Sequence, residues 1–85
     1  MDPYFLAKVE IPQGSQDELA ARINQLPNEE IVGNSPTSRF DWWKLSKQTT
    51  KAERQFAKRT NGDYIHVALC NEDSHWVVYL EWFTP

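Results

Sequence analysis

His66, Cys70, His75 and Glu81 are of the residue types that bind zinc or activate a thiol, and the chain holds no other histidine or cysteine. A thiolate needs a nearby cation or metal to lower its pKa, and zinc takes three or four such side chains. If Asn71-Glu72-Asp73-Ser74 is the loop of a hairpin, then Tyr64, His66, Cys70, His75, Tyr79 and Glu81 share one face. The spacing H-x3-C-x4-H matches no established ligand pattern, and a cysteine beside a turn serves equally as a small apolar filler. This face therefore reads as a polar solvent side, with no metal, cofactor or catalytic residue assigned to it.

Other chemistry finds little material. The sequence has no phosphate-cradling glycine loop, no H-E-x-x-H and no G-x-S-x-G, and only three glycines in all. The paired carboxylates Asp17-Glu18 fall in the opening turn of an expected helix, where negative charge offsets the helix dipole. The chain reads as non-enzymatic.

The stretch from Arg39 to Arg59 is more informative, because it concentrates Lys and Arg among Phe40, Trp42, Trp43 and Phe56. Segment net charges are -4 for residues 1–38, +5 for 39–59 and -4 for 60–85. Opposite fields on different parts of a small protein orient an encounter with a partner. The spacing Thr50, Glu53 predicts a capped second helix ending near Asn61-Gly62. On it Lys51, Arg54 and Lys58 would form one positive stripe beside Arg59, with Ala52 and Phe56 inward. Trp42 and Trp43 are adjacent, so in the strand expected over Phe40 to Leu45 they cannot both point inward and one indole is left partly exposed.

The remaining elements follow from periodicity. Tyr4 to Ile11 alternates, with Phe5, Ala7, Val9 and Ile11 on one side, which is a half-buried strand ended by Pro12 and Gly14. Ser15 and Glu18 have capping-box spacing, and Leu19, Ile23 and Leu26 recur at helical intervals up to Pro27. Glu29 to Val32 is read as a short strand, and Gly33 to Ser38 as a loop. Tyr64 to Cys70 and His75 to Phe83 are the hairpin strands, with Ile65, Val67, Leu69, Trp76, Val78, Leu80 and Trp82 as the core face. The expected class is α+β: a small antiparallel sheet with two helices on one face. The order β-α-β-β-α-β matches the ferredoxin-like arrangement, with an extra C-terminal hairpin strand.

Eighty-five residues make a single domain spanning 1–85 that buries roughly 60–65% of its unfolded surface. The lone cysteine and the absence of a signal-like start point to a cytoplasmic setting, and no apolar run approaches the roughly 20 residues of a membrane span.

The sequence thus points to a small binding protein, an inhibitor, adaptor or immunity-type protein, using Arg39, Trp42, Trp43, Lys44, Lys51, Arg54, Lys58 and Arg59. The matching partner is a protein or nucleoprotein with an acidic patch. The alternative is a single-stranded RNA or DNA binder using the same residues, although a pI near 5.2 argues against it. A further alternative lets Asp2, Asp17, Glu18, Glu29, Glu30, Glu72 and Asp73 imitate phosphates. A head-to-tail homodimer joining the basic segment to an acidic one is also consistent with the charge pattern.

Overall fold

The computed structural model describes residues 4–29, 41–45, 48–58 and 63–83. Within them lie β1 (Tyr4–Glu10), α1 (Gln16–Ile23), β2 (Thr49–Lys58), β3 (Asp63–Glu72) and β4 (His75–Phe83). The strands form one antiparallel sheet in the order β1-β4-β3-β2. The architecture is mixed α+β.

The second helix expected from Thr50 onward is instead β2, which pairs with β3 along its whole length. Two periodicities compete in T-T-K-A-E-R-Q-F-A-K. The three-residue capping spacing favours a helix, while Ala52, Arg54 and Phe56 alternate with Glu53, Gln55 and Ala57 as a strand requires. Tertiary pairing with β3 decides the outcome. A register shift between Thr50 and Ala52 marks a bulge at Lys51. The ferredoxin-like order is therefore not what the described elements show: they run β-α-β-β-β.

The hairpin also differs from expectation in register. Its turn is only Asp73-Ser74, both at positive φ (52° and 68°), so Cys70 faces Val77 and His66 faces Glu81. The left-handed pair matches the right-handed twist of the strands it joins. Because the shift is by two residues, each side chain stays on its expected face. Residues 41–45 contain no strand, and the expected strand Glu29–Val32 and loop 33–38 lie outside the described residues except for Glu29. The N–H of Glu29 donates to the carbonyl of Gln55 at 2.7 Å, on the outer edge of β2.

Helix α1 begins after Ser15 as expected, but the Ser15 side chain makes no cap bond, and Glu18 pairs instead with Arg22 at 3.0 Å. The helix sets Ala20 and Ile23 on Leu69 and Ala52, with Ile11, Leu19, Val67, Trp76 and Val78 around them. On the opposite side of the sheet Cys70, Val77 and Tyr79 form a second cluster beneath Trp43 and Leu45. That side is therefore not the polar solvent face expected from the sequence: Cys70 and Tyr79 are fully buried, and Glu81 nearly so. Among the described residues no helix is long and apolar enough to cross a membrane.

Candidate binding surface

The described basic and aromatic residues of the 39–59 stretch lie on both sides of the sheet. Strand β2 sets Lys51 and Arg54 on the α1 side, while the non-strand segment 41–45 lays Trp43 over the opposite side. Trp43 lies over the buried cluster, edge-on to Tyr79 with centroids 5.0 Å apart, while Trp42 stands edge-on to Trp43 at 5.8 Å and remains exposed. The half-buried Trp43 and the exposed Trp42 differ in burial although 41–45 is not the strand on which that expectation rested. Lys44 is exposed on this side as well.

Lys51 and Arg54 sit on the α1 side. The Lys51 ammonium pairs with Asp17 of α1 at 3.1 Å and lies 5.8 Å from the Trp76 ring centre. It therefore serves helix docking. Arg54 follows Ala52 on the same face, half-buried, and donates to the carbonyl of Glu53 at 2.8 Å. Arg39 and Arg59 lie outside the described residues, as does the Lys58 side chain.

The candidate zinc or nucleophile group is dispersed. Cys70 points its thiol at the carbonyl of Val77 (3.8 Å), and burial pushes its pKa up to about 11. His75, at the hairpin end, contacts Glu10 of β1 at 2.7 Å. His66 lies between Glu53 at 2.5 Å and Glu81 at 3.7 Å. No group of three or more His, Cys, Asp or Glu side chains suited to a metal occurs among the described residues.

Two polar clusters nonetheless make stability depend on pH. Burial works to lower the His66 pKa, but the hydrogen bonds to Glu81 and Glu53 outweigh it and raise the value above the ordinary 6.5. Burial likewise disfavours the Glu72 carboxylate, yet Lys8 and the Tyr79 hydroxyl, both bonded to it, hold its pKa below the ordinary 4.5. A raised histidine stabilises fully below pH 6.5 and loses that contribution as pH climbs through its folded pKa. A lowered carboxylate stabilises above pH 4.5 and loses its contribution as pH falls through its folded pKa. Melting temperature followed by circular dichroism should therefore be highest between these limits. His66→Gln should flatten the alkaline limb and Glu72→Gln the acid limb; an unaltered limb in either variant would remove that group from the account.

Trp82, expected in the core, is exposed within a row of apolar side chains. On the α1 side, Phe5 faces Trp82, Trp82 faces Ile65 and Ile65 faces Phe56, a row crossing all four strands. The next row is Ala7, Leu80, Val67 and Arg54. Helix α1, the only helix described on this side, packs at the other end of the sheet. Phe5 remains 50%, Val9 53% and Trp82 44% exposed. Single exposed apolar residues are ordinary, but neighbouring ones aligned on a sheet mark an interaction surface. No family model, no curated protein and no solved structure matches this chain.

Proposed function

We propose that the chain is a small non-enzymatic binding protein acting by stoichiometric contact with a protein partner, as an inhibitor, adaptor or immunity-type protein does. Its contact surface is the row Trp82, Ile65 and Phe56 with Arg54 at the margin. The exposure of Trp82 within a cross-strand apolar row carries this reading. Trp and Arg are the residues most enriched at interface hot spots, where truncation costs about 2 kcal/mol or more, roughly thirtyfold in Kd. Arg54, beside this row, adds a cation suited to an acidic group at the edge of the partner's apolar patch. Trp42 and Lys44, on the other side, form a separate and smaller patch.

The test is affinity capture with the wild-type chain, followed by calorimetric titration of the captured protein. Trp82→Ala should weaken binding at least tenfold and Arg54→Glu measurably, while Trp42→Ala leaves it unchanged. Equal affinity for wild type and Trp82→Ala would discard the row as the contact surface.

A second reading is favoured by the alignment of Phe5, Trp82 and Phe56 across the strands: single-stranded nucleic acid stacking its bases on the sheet. Each stacked base is worth about 1–3 kcal/mol. Titrating labelled single-stranded oligonucleotides at two salt concentrations separates the readings, because phosphate contacts weaken steeply with salt. Absence of tryptophan quenching would reject the nucleic-acid reading.

A further inference from the structure

The two edges of the sheet are not equivalent. The β2 edge is interrupted by the bulge at Lys51 and already accepts the Glu29 N–H. Bulges and covering segments are the devices that stop an edge strand from pairing with another chain. Among the described residues the β1 edge has neither. It is regular over Tyr4–Glu10, and among the described residues no strand pairs with its outer side. Its one cation, Lys8, turns inward over the Tyr79 ring to Glu72 instead of projecting past the edge.

The Ile11 N–H donates to the carbonyl of Trp76 at 2.9 Å, continuing the β1–β4 ladder. Antiparallel alternation then directs the main-chain groups of Phe5, Ala7 and Val9 to β4, and those of Tyr4, Leu6, Lys8 and Glu10 outward. We infer that this open edge pairs antiparallel with β1 of a second copy, about a two-fold axis at Ala7, to give one continuous sheet. The inference is separate from the partner surface, since Trp82, Ile65 and Phe56 stay uncovered in such a dimer.

The register follows from the side chains. A two-fold axis normal to the sheet must pair residues that share a face. Centred on Ala7, it places Phe5 opposite Val9 of the second copy and Val9 opposite Phe5. The two most exposed large hydrophobics among the described residues thus cover each other. On the other face Lys8 meets Leu6, and no like charges stand directly opposite. Centring on Lys8 would set two lysines face to face, which is destabilising. Centring on Leu6 would carry Val9 beyond the other strand. Centring on Val9 would set Lys8 against Glu10 but leave Phe5 opposite Gln13, past the end of the strand. The Ala7 register joins the outward main-chain groups in hydrogen-bonded pairs, covers both Phe5 and Val9 and avoids charge repulsion. The contact is isologous, unlike the head-to-tail pairing of basic and acidic segments that the charge pattern suggested.

One strand pairing covers less than the roughly 800 Å² per partner of a standard interface, so dissociation belongs in the micromolar range. Light scattering of the wild-type chain over about 5 to 500 µM should show a monomer passing to a dimer. Phe5→Lys with Val9→Lys should keep it monomeric with an unchanged circular dichroism spectrum, because both side chains are exposed in the monomer.

Ala7→Cys tests the register. Facing residues of a pair that is not hydrogen-bonded lie about 4.5 Å apart, within disulfide reach. Mild oxidation should therefore link Ala7→Cys into a covalent dimer, and buried Cys70 contributes no background. Val9→Cys, whose counterpart would lie roughly 14 Å along the strand, should not link. A wild-type monomer throughout the series with no Ala7→Cys dimer overturns the inference. Faster linkage at Val9 than at Ala7 overturns the register, and binding of a foreign strand peptide to a monomeric edge would assign the edge to another protein. Arg54→Glu, on the strand farthest from this edge, should dimerise like the wild type while weakening partner binding; this keeps failure of the dimer distinct from failure of the partner surface.

Discussion

Leu69→Ala should lower the melting temperature by roughly 12–24 °C, corresponding to about 3 kcal/mol in a domain of this size. Leu69 is fully buried at the point where α1 meets the sheet, touching the cluster of Ala20, Ile23 and Ala52. Two of its buried neighbours in that cluster are alanines, which have no long side chain with which to fill the space. The cavity should persist, so the cost comes from lost transfer energy together with lost contacts. An 85-residue domain holds roughly 4–13 kcal/mol of stability, so the loss is a large fraction of the total. Leu19→Ala, at the partly exposed rim of the same cluster, provides the comparison and should cost about 1 kcal/mol. Equal effects at the two positions would mean that Leu69 is not where the helix docks.

Trp43→Ala should have the second largest effect, and a different signature. The indole and Leu45 are the described cover over Cys70, Val77 and Tyr79. Its removal should cost about 2 kcal/mol, less than the 3–5 kcal/mol of a fully buried tryptophan, because Trp43 is only half-buried. The more specific readout is the thiol. Cys70 is fully buried, with its pKa pushed up to about 11, so it should react very slowly with a disulfide reagent in the wild type. Without the indole, labelling should accelerate by at least tenfold at a temperature well below melting. Trp42→Ala should leave the labelling rate alone, since that ring is exposed beyond Trp43. Similar rates in both variants would show that something other than Trp43 shields the thiol.

Where the sequence had one dominant period, it could be read directly. Tyr4–Glu10 alternates, and β3 and β4 keep their inner and outer sets even though the turn is shorter than expected. The turn length was illegible because Asp73-Ser74 contains neither glycine nor asparagine, the usual residues for two left-handed positions. The 49–58 segment carried two compatible periods, and only pairing with β3 selects between them.

That one misreading explains most of the error in the site. With two helices assumed, Phe5, Val9 and Trp82 counted as core. A single eight-residue helix is about 12 Å long, whereas the strands of nine or ten residues run about 30 Å, so it cannot cover the sheet end to end. The signal was therefore in the sequence, as more apolar strand surface than the one described helix can bury. The opposite face was misread for a related reason. Tyr79, Cys70 and Glu81 look like a solvent face along the chain, but Trp43 and Leu45 return over it from a segment with no periodicity of its own.

The pairing of β1 with β4 brings the first and last described residues together, Tyr4 facing Phe83. Closing so long a loop costs more entropy than joining β3 to β4 across a two-residue turn. Assembly should accordingly start at that hairpin, add β2 through the nearby connection and finish with β1. The last strand to arrive is also the easiest to release, and its departure bares the main chain of β4. A neighbouring molecule's β1 has the same sequence as the chain's own, so exchange of this strand between copies is the expected consequence of its release.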